Sequence, residues 1–209
     1  MINILLIVFA ISLLFIAIAN RLMTYINILA LQGLLLFGMA FFGLPELNVG
    51  NLIFILFETV VIKAVAIPLF LRYIIRKNNI TREAEPYLPN FISLIIVTLI
   101  IASTFMVSNV IGNVRLPKIY FVVALSALFS GLYFIISRKK IITHVICYVI
   151  IENGVFILSL AVGNEMPMLV NLGILLDVFV SVFLLGIFIN KVGDVLHDTD
   201  ISQLSHLKD

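Results

Sequence analysis

Four ionisable side chains stand inside stretches that are otherwise oil. Glu58 lies in "ILFETVVIK", Lys63 closes that same stretch, Glu152 lies in "CYVIIENGVFILSLAVG", and Asp177 lies in "GILLDVFV". At the centre of a bilayer an Asp, Lys or Arg costs about 2.5–3.5 kcal/mol on insertion scales. Residues that expensive face protein or water, not lipid. Acids and a base at membrane depth are the material of proton relays. A carboxyl can hold a proton or release it, and an ammonium beside it biases which form it takes. Glu152, Asp177, Glu58 and Lys63 are therefore the candidate relay residues. The plainer reading is that they are polar glue between helices. Four of them, with acids recurring at matched positions, favour the relay.

Spacing refines the set. Lys63 is five residues past Glu58, roughly 140° around an α-helix. The two are predicted to lie on different faces, with Lys63 turned toward another helix. Pro68 follows and removes the backbone bond to the Ala64 carbonyl. A kink and a small hydrated pocket are expected there. Tyr148, four residues before Glu152, shares its face and is placed to hydrogen-bond it. Gln32 is either a neutral relay member or packing glue. His144, beside "SRKK", could be a cytoplasmic proton intake group, although a solvated interfacial histidine is the plainer reading. Gly33, Gly38 and Gly154 mark close helix contacts.

The elements that carry these residues must be membrane helices. The chain of 209 residues is 63% hydrophobic and 11% charged, against about 45–50% and 25% in soluble domains. A crossing needs about 20 mostly apolar residues. Seven stretches qualify: 2–19, 22–43, 51–73, 91–111, 118–136, 141–163 and 168–190. Residues 17–19 resemble a signal-peptide cleavage site, but no positive charge precedes the apolar run. It is expected to be the first span.

Seven alternating spans sort the basic residues. Arg21, Arg72, Arg76, Lys77, Arg82, Arg138, Lys139, Lys140, Lys191 and Lys208 fall on one side, Arg115 and Lys118 on the other. By the positive-inside rule the N-terminus is outside and the C-terminus cytoplasmic.

The third and seventh spans look alike. "ILFETV" from Ile55 aligns with "ILLDVF" from Ile174, placing Glu58 opposite Asp177 and Arg72 opposite Lys191. Upstream, "LQG" at Leu31 aligns with "ENG" at Glu152, so Gln32 meets Asn153 and Gly33 meets Gly154. The expected fold is all-α: two parallel three-helix repeats joined by an extra helix. Residues 1–76 form the first repeat, 77–90 a cytoplasmic loop, 91–112 the linking helix, 113–191 the second repeat and 192–209 a cytoplasmic tail.

Several functions are disfavoured. No Walker loop, GxGxxG, HExxH or metal-ligand cluster is present, and the polar loops are too short for a catalytic domain. The single cysteine, Cys147, allows no intrachain disulfide. The basic residues fall in short clusters between spans, which gives no nucleic-acid surface. Any redox chemistry this chain serves belongs to partners.

The residues "ENG" at 152–154, "GILLD" at 173–177, "IKAVAIP" at 62–68 and the tail "DISQLSHLKD" at 200–209 resemble hydrogenase-4 component E. That family is in turn similar to the K (4L) subunit of respiratory complex I and to the corresponding small subunit of Mrp-type antiporters. Those are three-span proteins about half this length. The complex I protein carries a glutamate in its second and third spans, and Glu152 and Asp177 match the two. In the first repeat the second-span position holds Leu31, while the third-span position keeps Glu58.

The resemblance implies a non-catalytic membrane-arm subunit of a complex-I-like, group 4 NiFe hydrogenase. It would lie in a bacterial or archaeal cytoplasmic (inner) membrane, beside antiporter-like and hydrogenase-anchor subunits. No cofactor is expected in this chain, and the NiFe and iron–sulfur centres would sit on partners. Two other roles stay open: a structural connector or Mrp-type cation/proton antiporter module with no proton path of its own, and an autonomous small transporter.

Overall fold

A computed structural model describes residues 1–43, 49–77, 86–110 and 117–162. Helix α1 covers Ile2–Ile18, α2 Leu22–Gly43, α4 Asn90–Val110, α5 Lys118–Ser137 and α6 Ile141–Val162. Between α2 and α4 runs α3, a continuous helix of mixed pitch. It is α-helical over Val49–Leu56, π-helical over Phe57–Ala66 and α-helical again over Ile67–Lys77. Five of these helices are long and apolar enough to cross a membrane. α1, at 17 residues, sits at the short end of the spanning range. The expected seventh span at 168–190, with Asp177, lies outside the described residues, as does the tail from 192.

Every helix is apolar on most faces, as helices in lipid must be, because the backbone is satisfied within the helix and greasy side chains cover the rest. On α4 the buried face is marked by small and polar residues. α4 turns only Ser93, Val97, Thr104 and Ser108 inward. Two of these bond to α5: Thr104 shares a 2.8 Å hydrogen bond with Ser126, and the Tyr133 hydroxyl donates to Ser93 Oγ at 2.9 Å. Phe91, Leu99, Phe105 and Met106 stay on its outer surface.

α6 is the most enclosed of the spanning helices. It packs against α5 on one side and α2 on another, while α2 in turn carries α3. Glycines make these approaches possible, Gly131 of α5 against Ile151 and Cys147 of α6 among them. A Cβ at Gly154 would come within 3.0–3.1 Å of Ala124 O, Ala127 Cβ and Leu128 N on α5. A Cβ at Gly33 would come within 2.7–2.9 Å of the Ala64 backbone and Cβ, inside the π-helical part of α3. Small residues at such crossings let two backbones close up and gain dispersion contacts that lipid alone does not drive.

The connections gather at two ends. At one end Asn90 Nδ2 reaches Ile18 O and Asn20 Oδ1, and Tyr87 N–H bonds Ser137 O at 2.9 Å. Pro86 bridges Arg138 there. At the other end Gly43 lies against the Tyr120 hydroxyl. The α1–α2, α3–α4 and α5–α6 connections thus share one end, and that end holds Arg138, Lys139 and Lys140.

Gly33 gives a stability test. Its neighbour is backbone, which cannot swing away, so Gly33→Ala is expected to destabilise the purified protein by about 1–3 kcal/mol, the usual cost of overpacking. Gly38 faces only the end of the Leu5 side chain, at 3.0 Å, and Gly50 faces nothing within 4 Å. The thermal midpoint should fall most for Gly33→Ala, less for Gly38→Ala and little for Gly50→Ala. Equal midpoints for Gly33→Ala and Gly50→Ala would contradict the close crossing.

Candidate functional site

The site is built from α3 and α6. Lys63 Nζ lies 2.6 Å from Glu152 Oε1 and 3.6 Å from Glu58 Oε1, with all three side chains at most 5% exposed. The Phe156 ring lies under the same ammonium, 4.4 Å from its centroid. Phe156 is four residues past Glu152 on α6, so one face supplies both the anion and the aromatic ring.

The Glu58–Lys63 ion pair overturns the expectation that these two residues lie on different faces. The reason is the pitch of α3. Through Phe57–Ala66 the backbone closes on i→i+5 rather than i→i+4. Residues five apart therefore take the stacked relation that residues four apart have in an α-helix. The end of the segment shows the register: Ile67 N–H donates to Ile62 O. The next donor in that register would serve the Lys63 carbonyl, and it is Pro68, which has no N–H. The sequence pointed to disturbed backbone pairing beside Lys63. It did not show that the disturbance would turn Glu58 and Lys63 together. Lys63 does also reach another helix, as its spacing predicted.

Two carboxyls and one ammonium leave the cluster one positive charge short of neutral. Glu58 Oε2 and Glu152 Oε2 are buried and accept no hydrogen bond. A buried charged oxygen without a donor is costly. A proton on one carboxyl would convert such an acceptor into a donor and balance the charge. Among the described residues no group of His, Cys, Asp and Glu could hold a metal ion.

A second polar feature fixes α6 in place. Asn153 Nδ2 donates to Gln32 Oε1 at 3.1 Å, Gln32 Nε2 donates to Ser12 Oγ at 2.8 Å, and Ser12 Oγ donates to Phe9 O at 2.6 Å. Each donor points the same way, from α6 through α2 to α1, and Gln32 is wholly buried. Both ends of the Gln32 amide are engaged. Gln32 thus links α6 to α1 through α2. Gln32 and Asn153, which the sequence alignment sets opposite each other, meet directly.

The remaining expected residues are placed as follows. Beyond the Lys63 ion pair, neither carboxylate oxygen of Glu152 accepts a hydrogen bond, so the Tyr148 hydroxyl does not reach it. Tyr148 and His144 are partly exposed on α6, and His144 Nδ1 lies 2.8 Å from Lys140 O. Asp177 lies outside the described residues. Three contributors went unnoticed in the sequence. Phe156 was visible only as one more phenylalanine, although its spacing from Glu152 was a usable signal. Ser12 carried no signal at all. Arg138, counted among the loop charges, is 1% exposed. Its Nη2 donates to Ile16 O and Ala17 O, each at 3.3 Å, so its cation caps the carbonyl end of α1.

No family model matches the chain, and no solved structure matches it. Among curated proteins, hydrogenase-4 component E of Escherichia coli is 26% identical over 153 residues, covering 70% of this chain and 68% of that protein. The protein of the same name from Shigella flexneri matches to the same extent. An uncharacterised protein of Mycobacterium tuberculosis is 22% identical over 135 residues, covering 61% of this chain and 59% of its own. In its described residues this chain is all-helical, with helices of membrane-spanning length, and it is distantly similar to hydrogenase-4 component E.

Proposed function

We propose that this chain is a membrane-arm subunit of a complex-I-like, group 4 NiFe hydrogenase, and that it carries part of a proton path coupled to redox chemistry on its partners. The observation that supports this reading most is the Lys63 ammonium held between Glu152 at 2.6 Å and Glu58 at 3.6 Å. Such a cluster is expensive inside a membrane and short of one positive charge, so it suits a site that loads and unloads a proton. The distant similarity to a hydrogenase-4 component supplies the setting.

On this reading the chain spans the cytoplasmic (inner) membrane seven times with its N-terminus outside. Its basic end, at Arg138–Lys140, is the cytoplasmic one. It packs beside antiporter-like and hydrogenase-anchor subunits, and these partners hold the nickel–iron and iron–sulfur centres. Asp177 extends the relay on the seventh span. Kinship with the K (4L) subunit of complex I and with the small Mrp antiporter subunit belongs to the same proposal.

Glu152→Gln keeps the shape and removes the titrating group. In membranes holding the assembled complex, it should cut proton translocation per electron transferred to the level of uncoupled membranes while assembly stays normal. Normal translocation would overturn the relay. Poor assembly with normal translocation in the complexes that do form would instead identify a structural connector.

Lys63→Met should be harsher on folding, because it leaves two carboxyls facing each other without their cation. Removing one partner of a buried pair costs about 3–5 kcal/mol. Adding Glu152→Gln and Glu58→Gln to Lys63→Met should recover most of the lost thermal stability, since no buried charge is then left unpaired. A triple variant no more stable than Lys63→Met would contradict the pairing.

A further inference from the structure

We infer that His144 is the port through which protons reach the Glu58–Lys63–Glu152 cluster from the basic end of the bundle. This inference rests on the relay reading of that cluster. Three observations carry it.

First, the hydrogen bond fixes the tautomer. His144 Nδ1 lies 2.8 Å from the Lys140 carbonyl oxygen. A carbonyl can only accept, so Nδ1 carries the hydrogen. In the neutral ring Nε2 then has a free lone pair. His144 thus presents a proton acceptor on its outer nitrogen.

Second, His144 sits where such an acceptor can be used. It is partly exposed, one turn inside the end of α6 that Arg138, Lys139 and Lys140 occupy. Two of its charged neighbours turn to other groups. Arg138 turns to the carbonyls of Ile16 and Ala17, and Lys139 lies over the Tyr87 ring, 5.2 Å from its centroid.

Third, α6 carries a line of matched residues inward. His144, Tyr148 and Glu152 follow at intervals of four, on neighbouring positions of one face. At about 1.5 Å per residue, each step is about 6 Å along the axis. Side chains on a helix lean toward its N-terminus. That lean sets the Tyr148 side chain over the turn that carries His144, while Glu152 Oε1 is held by Lys63. At the inner end waits a buried carboxylate oxygen, Glu152 Oε2, that accepts no hydrogen bond.

The transfer balances. A proton from water or buffer binds His144 Nε2 while Nδ1 keeps its own. Nε2 then returns to its lone pair as its proton passes to the Tyr148 hydroxyl. Tyr148 gives its hydroxyl proton to a water in the gap before Glu152. That water passes one of its protons to the carboxylate. Each group ends as it began except Glu152, which gains one proton.

The test uses membranes holding the assembled complex. His144→Gln should slow coupled proton uptake several-fold with assembly unchanged, and added imidazole should restore it, because a diffusible base can take over a port but cannot repair a fold. His144→Ala, which leaves more room for imidazole, should be rescued further. Uptake as fast as in the parent, or a loss that imidazole does not restore in either variant, would overturn the port. Glu152→Gln run alongside separates the two ideas. If it abolishes coupling while His144→Gln does not, the relay stands and the port falls. If neither matters, both fall. A second readout needs only this chain. Nitrogen NMR of histidine-labelled full-length protein in lipid nanodiscs should show neutral His144 as the Nδ1–H form. The Nε2–H form would refute the inference.

Discussion

An ammonium buried between two carboxyls is the constraint around which the described helices are arranged. Lys63 cannot leave its partners without leaving buried charge unpaired. Its partners are on two helices, so α3 and α6 must come together at one depth. Several features serve that meeting. The π-helical turn brings Glu58 and Lys63 to one side of α3. Gly33 lets α2 lie against that turn at Ala64, and Gly154 lets α5 support α6 from behind. The Asn153–Gln32–Ser12 chain ties α6 to α2 and α1 with directional bonds. Each is a local feature with a cost, and each bears on the position of one charge.

The cluster also bears on why a glutamate stands at Glu152 while Leu31, aligned with it in the sequence, is apolar. Read along the chain, Glu152 looked like the partner of Asp177 within the second repeat. In three dimensions it joins the Lys63–Glu58 pair of α3. A site assembled between these two helices needs one glutamate on α6 and one lysine on α3. A symmetric copy of each would place more acid and base in the membrane, at a cost of several kcal/mol apiece.

The parts legible in the sequence were those with a one-dimensional signature. Long apolar runs gave the first six helices to within a few residues, because lipid demands about 20 such residues whatever the fold. Glu58, Lys63 and Glu152 stood out because a charge in such a run is costly. The pairing was not legible, because it depends on pitch. Angles computed at 3.6 residues per turn separate Glu58 from Lys63, and only the π-helical register reunites them. The burial of Arg138 was not legible for a similar reason. Its sequence neighbours Lys139 and Lys140 suggest a solvated turn, yet it is buried against the carbonyl end of α1. Nothing local to residue 138 encodes that contact with residues more than a hundred positions away.

The central claim is that the Glu58–Lys63–Glu152 cluster gains and loses a proton as the protein works. Infrared difference spectroscopy of the assembled complex during turnover reads this most directly, because a protonated carboxyl has its own C=O stretch. The account predicts a carboxyl band that appears and disappears with turnover and is lost in Glu152→Gln or Glu58→Gln. A complex that turns over with no such band, or with a band that survives both substitutions, would contradict it.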